Sequence, residues 1–534
     1  MSTAALSRSI SRDGASAMES EQRAASDGRL TRKHIRGSSL LLLGRMVSLG
    51  LNLATQVLTA RYLSKDDFGA FAYALAAVTF GASVVSLGLD KCATRFVPAF
   101  HERRDWPRMF GTILLSIGTI VALGLVLVIS TFALKVVLAR SVVGDERSVA
   151  LLLILITLAP VEALNHLCAG LVATFAGARA IFIRRHVVGP ALKLLVVAIL
   201  VATKSSVYVL AIGFLASGVV GTALYYAYLA YVLRNTGLWR EFHLRRTAIP
   251  AREVFGFSLP LISSDVALAA RGFMGVYFLG FFHAPAEVAS LRAVLPLARL
   301  NKVVFETFQF LFMPLASRLH ARDDRSDIDH MYWRTALWIT VLTFPLFLVT
   351  FALAEPLAVL LLGERYRDVG SVLAWLSFGF FFNAALGFNT LTLKVFGDVR
   401  KIVRNDLVAT VITLGLYVAL IPSYGALGAA AANCVALVIH NLVNQVSLLR
   451  TSGITLFPRR YLLLYSVMLL ISVVLLGVQA YGGPPLYVGL ALAGLGGLVV
   501  LRLARPLLEL EETFPELARL PLVRRFFGQV KVAA

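Results

Sequence analysis

The chain has 534 residues, 58% of them hydrophobic and only 15% charged, with a formal net charge of +21. A soluble domain is nearer to about 45–50% apolar and about 25% charged, so a water-soluble core is excluded as the home of most of this sequence. The three cysteines, Cys92, Cys168 and Cys434, lie in or beside apolar segments with no motif spacing, which indicates neither a disulfide framework nor a metal knuckle.

Residues 1–36 are rich in Ser, Ala and Arg and contain no apolar stretch, so they are expected to form a disordered basic tail and not a signal peptide. Beyond them, apolar runs recur at roughly 20 residues, the length a helix needs to cross about 30 Å of hydrocarbon. Fourteen such runs lie at about 38–60, 69–89, 109–134, 149–172, 187–203, 207–232, 254–281, 288–316, 335–354, 369–393, 405–421, 425–449, 461–480 and 486–501. The breaks between them carry turn chemistry, as in Pro422-Ser423-Tyr424-Gly425 and Gly482-Gly483-Pro484-Pro485. No stretch outside these runs is long enough for a catalytic domain.

Charge gives the expected orientation. Basic clusters fall in alternate loops: Arg103, Arg104 and Arg108; Arg179, Arg184 and Arg185; Arg240, Arg245 and Arg246; Arg318, Arg322 and Arg325; Arg400, Lys401 and Arg404; Arg459 and Arg460. Lys and Arg mark cytoplasmic loops, and fourteen helices with both ends in the cytoplasm satisfy every cluster at once. Much of the net charge is therefore topology and contact with anionic membrane lipids; no basic domain stands apart to suggest a nucleic-acid partner.

Gly37-Ser38-Ser39-Leu40 and Gly256-Phe257-Ser258-Leu259 are offset by 219 residues, which places helix 1 on helix 7 and helix 2 on helix 8. The expected architecture is all-α and polytopic: two six-helix lobes around a central cavity, plus two extra C-terminal helices. The divisions are a tail at 1–36, an N-lobe at 37–253, a C-lobe at 254–450, helices 13 and 14 at 451–501 and a cytoplasmic tail at 502–534. Substrate sites of repeat-built transporters lie between the repeats.

Charges inside membrane helices are costly and point to function. Helix 8 carries Arg292, Arg299, Lys302 and Glu306 within roughly 80° of one another, a stripe about 21 Å long. Helix 7 adds Asp265 and Arg271, and helix 1 carries Arg45, Ser48, Asn52, Gln56 and Thr59 on one face. Arg45, Asn52, Gln56, Arg271, Arg292, Arg299 and Lys302 are expected to bind an anionic substrate, because guanidinium groups grip phosphate oxygens two at a time. Glu162 and His166 of helix 4, with Asp265 and Glu306, are candidates for ion coupling to H⁺ or Na⁺. For Glu162, Asn165 and His166 an interhelical hydrogen-bond cluster stands as the alternative. There is no Walker A loop, no His-Glu-x-x-His and no Cys-x-x-Cys, so no enzyme signature is present and no cofactor or metal is expected.

Several stretches resemble one family in order and spacing: Ala60-Arg61-Tyr62-Leu63-Ser64 to Asp67-Phe68-Gly69, Ser258-Leu259-Pro260-Leu261, Phe312-Met313-Pro314-Leu315-Ala316-Ser317-Arg318, Leu360-Leu361-Leu362-Gly363-Glu364-Arg365-Tyr366, and Ile421-Pro422-Ser423-Tyr424-Gly425-Ala426-Leu427-Gly428. The chain is similar to the multidrug/oligosaccharidyl-lipid/polysaccharide (MOP) exporter superfamily, in its polysaccharide-transporter branch of O-antigen-type (Wzx-like) flippases. The resemblance implies alternating access by two lobes in a bacterial inner membrane, with a polyprenyl-diphosphate-linked oligosaccharide as substrate, for O-antigen or exopolysaccharide. Other membrane proteins of polysaccharide assembly are implied as partners. A cation-coupled multidrug antiporter of the same superfamily is the alternative, and a membrane glycosyltransferase or polymerase a more distant one.

Overall fold

A computed structural model describes residues 43–137, 146–176, 182–322 and 324–508. The expected tail at 1–36 and the last residues, 509–534, lie outside the described residues, as does Arg179. Fourteen helical arms follow in order. In the first half they are α1 (43–62), α2 (Lys65–Ser86 and Leu89–Glu102), α3 (Trp106–Ala133), α4 (Glu146–Leu155 and Leu158–Phe175), α5 (Phe182–Val188 and Gly189–Thr203) and α6 (Val207–Asn235). The second half repeats the pattern with α7 (Ala251–Phe282), α8 (Pro285–Arg299, Leu300–Lys302 and Val303–Ala321), α9 (Arg325–Phe351) and α10 (Gly370–Ala385 and Asn389–Val395). The long run Val399–Ser452 folds back at Gly425 into α11 and α12, and α13 (Leu462–Gly482) and α14 (Leu486–Leu508) close the chain. Eleven helical stretches are long and apolar enough to cross a membrane by themselves, Val399–Ser452 among them as two arms. Among the described residues the arm that falls short over its whole length is α8, which carries Arg292, Arg299, Lys302 and Glu306; α1, which carries Arg45, Asn52 and Gln56, is described only from residue 43.

Local chemistry sets where the arms begin. Ser64 caps α2 by accepting from the Asp67 amide at 3.1 Å, with Asp66 and Asp67 in the first turn where the helix dipole favours them. Asp105 and Asp324 cap α3 and α9 in the same way. The reversal at Gly425 needs a positive φ (53°), and the Ala426 amide freed there donates to Glu287 of α8 at 2.7 Å. Outward faces are apolar: Ile129, Leu268, Val411 and Leu463 are all exposed, as expected of a surface solvated by lipid.

The two six-helix lobes meet along α2, which packs on α7 and α8. At the end that holds the α1–α2 and α7–α8 turns, one buried core runs through both lobes, with Phe68 and Phe71 beside Leu279, Val288 and Ile421. Toward the other end the cores are separate, one around Cys92, Met109 and Leu167 that takes in Val254 at the start of α7, the other within the C-lobe and α13–α14. Helices α13 and α14 attach to the C-lobe through α9, where Gly489 and Gly497 meet Leu353 and Pro345 and let the backbones come close. All three cysteines are buried and free.

Candidate functional site

The polar faces of α1 and α8 meet between the lobes. Pro296 has no amide to offer the carbonyl four residues before it, that of Arg292. Gln56 of α1 takes up this vacated acceptor, its Nε2 donating to Arg292 O at 3.1 Å across the lobe boundary. Past Pro296, α8 tightens into a single 3₁₀ turn at Leu300–Lys302 before resuming. That turn breaks the expected straight stripe into two parts. On the first, the Arg292 guanidinium is largely enclosed and its Nε has no hydrogen-bond partner among the described residues. Arg299 is open to solvent, and neither arginine has a carboxylate within ion-pair distance among the described residues. On the second, Glu306 accepts from Arg45 of α1 and lies 4.0 Å from Lys302. Four cations thus face one carboxylate, and the surplus is positive. Asn301, buried in the 3₁₀ turn, donates to Thr350 of α9 at 2.8 Å and anchors the bend.

A cavity of about 520 Å³ opens inside the N-lobe, its α1 wall formed by Ser48 and Asn52, between Arg45 and Gln56 in the sequence. It is lined by Asn52 of α1, Asp90 and Lys91 of α2, Glu162 and His166 of α4, and Lys193 of α5. Asn52 is held by its own helix, donating to Ser48 O at 2.7 Å. Glu162 pairs with Lys193 at 3.6 Å and accepts from Asn165 at 3.4 Å, so these groups form an interhelical polar cluster on the cavity wall. At the mouth, Lys91 donates to Asp265 of α7 at 2.7 Å, an ion pair between the lobes. The α2 helix is broken close by: Leu87 and Gly88 both have positive φ, and the half-buried Leu87 carbonyl accepts from Ser258 of α7.

The remaining expected residue, Arg271, stands apart from the α8 stripe in its ion pairing. Its guanidinium turns into the C-lobe, 4.0 Å from Asp406 of α11. Asp406 Oδ1 is in turn 2.9 Å from His440 Nε2 on α12. Around them Asn444 bridges His440, Thr390 and Asn405, and Asn441 bonds Asn383 and Asn389. Asp406, His440, Lys91 and Lys193 were not among the expected site residues. The available signal was the run of His440, Asn441, Asn444 and Gln445 at helical spacing in an otherwise apolar segment.

A bundle of fourteen arms with apolar side chains outside and charged ones turned to an interior cavity defines a polytopic α-helical membrane protein. The chain belongs to the polysaccharide biosynthesis protein family, whose profile matches residues 34–320. Its fold is that of the MOP superfamily. A lipid II flippase, MurJ, in an inward closed conformation superposes with a TM-score of 0.67 at 15% identity, covering 89% of this chain and 100% of that one. An inward-facing multidrug resistance MATE family transporter gives 0.62 at 17% identity, over 76% of this chain and 95% of that one. A MOP superfamily transporter from Pyrococcus furiosus, described as having a binding pocket of reverse polarity, gives 0.55 at 15% identity, over 79% and 95%. No curated protein matches the chain.

Proposed function

We propose that this protein is a flippase that carries a polyprenyl-diphosphate-linked oligosaccharide from the cytoplasmic to the outer leaflet of a bacterial inner membrane, for cell-surface polysaccharide such as O-antigen or exopolysaccharide. The observation that carries the reading is the pair of guanidinium groups, Arg292 and Arg299, between the lobes, with no carboxylate within ion-pair distance among the described residues. Unpaired cations in a partly dehydrated site call for an anion, and a planar guanidinium fits a diphosphate. The family membership and the lipid flippase among its structural neighbours point the same way.

In this mechanism the diphosphate sits against Arg292 and Arg299, the first sugars enter the polar N-lobe cavity beside Asn52 and Glu162, and the polyprenyl chain stays in lipid. The tails and basic loops lie in the cytoplasm. The lobes, joined here at the end away from the tails, then rock about α2, α7 and α8 to open the cavity outward. A surplus of positive charge disfavours the cationic substrates expected of a multidrug antiporter.

Binding tests the reading directly. Purified protein should be stabilised against heat by a polyprenyl-diphosphate disaccharide at micromolar concentration, and the Arg292→Gln/Arg299→Gln variant should not. Equal stabilisation of both proteins by an uncharged polyprenol, or stabilisation by ethidium in place of the diphosphate, would overturn it.

A further inference from the structure

We infer that the C-lobe contains a proton-binding site formed by His440 and Asp406, with Arg271 as its built-in competitor. The inference deepens the flippase reading by naming the coupling ion, and rests on that reading only for what the proton drives.

The site is built from three helices. Asp406 stands in α11 and His440 in α12, the two arms that fold back at Gly425, and Arg271 reaches in from α7. All three side chains are mostly enclosed, at 19%, 15% and 17% exposure, yet none is sealed off from solvent, so a proton can reach them. An ionised carboxylate only accepts, so its 2.9 Å contact with imidazole Nε2 requires the proton on Nε2, and Asn444 Nδ2, 3.1 Å from the same nitrogen, then donates to Thr390 Oγ1 instead. In that state Arg271 and Asp406 neutralise each other and His440 is uncharged. One further proton on the imidazole makes an imidazolium, and two cations then share one carboxylate. Among the described residues no second carboxylate lies within ion-pair distance of Arg271 or His440. Among the described residues the other charged or titratable groups facing the cluster are Tyr417 of α11, whose hydroxyl donates to Asn433 Oδ1 at 2.9 Å and lies 3.3 Å from Arg271 O, and Arg292 of α8 beside it. The wall from α10 is neutral: Asn383, Asn389 and Thr390.

The weaker contact yields first. Arg271 is held at 4.0 Å while His440 is held at 2.9 Å, so an added proton loosens α7 from α11 and tightens α12 onto it. Helix α7, with α8, also holds the N-lobe, through Asp265 to Lys91 and Ser258 to Leu87. Asp265 and Arg271 are six residues apart, about 9 Å along one rigid helix. A proton in the C-lobe thus acts on the contact between the lobes. Histidine suits the role because its unperturbed charge change falls between about pH 5 and 8.

The test needs no substrate. Spin labels at Ala202→Cys and Tyr424→Cys, in a background lacking the three native cysteines and reconstituted in lipid nanodiscs, report the separation of the lobe ends by electron–electron resonance. The distance distribution is expected to change between pH 8 and pH 5.5, to stop changing in both His440→Gln and Asp406→Asn, and to keep changing in His243→Gln, an exposed histidine of the loop before α7. If one variant does not fold, the other carries the test. A distribution that is the same at both pH values in the parent, or that still shifts in His440→Gln, overturns the inference; so does a shift on replacing K⁺ by Na⁺ at fixed pH with none on changing pH. Either result can occur while the protein still moves lipid-linked saccharide, so failure here is distinct from failure of the flippase reading.

Discussion

The seam between α2 and α8 can be opened with one methyl group. A Cβ built on Gly69 would lie 1.8 Å from the Pro285 carbonyl oxygen and 2.5 Å from its carbon. Those are backbone atoms with no side chain to swing away, so Gly69→Ala requires α2 to retreat by roughly 1.5 Å to reach ordinary van der Waals contact. Overpacking of this kind costs about 1–3 kcal/mol. The cost falls on the arrangement described here, in which the lobes are pressed together at this end, and not on one in which they part. Every ~1.4 kcal/mol is a tenfold shift, so the open population should rise by roughly 5- to 100-fold. Ala289, one turn along α8 from Pro285 and fully buried, is a reporter small enough to change to Cys without a cavity. Its maleimide labelling rate in the purified protein should rise by the same factor when Gly69→Ala is added, and transport should fall because the closed step is impaired. Unchanged labelling with a lowered Tm would show that the seam is merely a structural contact and does not open.

Further expectations follow from the inter-lobe contacts. Gln56→Leu should cost about 1 kcal/mol, since it leaves the Arg292 carbonyl unpaired, and Pro296→Ala should reduce that cost because the restored amide can take up the same oxygen; a double-mutant cycle on thermal stability measures the coupling. Lys91→Glu should impair transport by setting two carboxylates face to face at the cavity mouth, and Lys91→Glu/Asp265→Lys should recover it, as read by restoration of surface polysaccharide in a strain lacking the protein. Glu287→Gln should lower Tm by weakening the cap on the Ala426 amide, and Gly425→Ala should lower it further, because a Cβ there has a positive φ and would lie 2.5 Å from the Glu287 carboxylate.

The membrane arms were legible because hydropathy depends on composition alone. The all-α polytopic fold, with its two lobes and extra pair, follows from counting apolar runs and basic loops. Even α8, too polar to qualify by hydropathy in isolation, was visible from its place in that alternation. What a helix's partners do to its charges was not legible. Arg271 and Arg292 read alike in sequence, as arginines in apolar helices. The fold separates them, since α11 brings Asp406 to Arg271 while nothing comparable among the described residues reaches Arg292. Asp265 offered no sign that its partner is Lys91, 174 residues away in the other lobe. The link from Gln56 to Arg292 O depends on Pro296 freeing a carbonyl, which is readable locally, and on which face of α1 meets it, which is not.

The central claim is that a cationic site between the lobes carries a lipid-linked diphosphate across the membrane. Translocation of a fluorescent polyprenyl-diphosphate oligosaccharide in proteoliposomes tests it most directly, comparing the intact protein with Arg292→Ala and Arg299→Ala variants shown to be folded and inserted. The account expects movement by the intact protein and a loss of tenfold or more in each variant. Equal movement by all three would contradict the assigned site, and no movement of any lipid-linked saccharide by the intact protein would contradict the flippase itself.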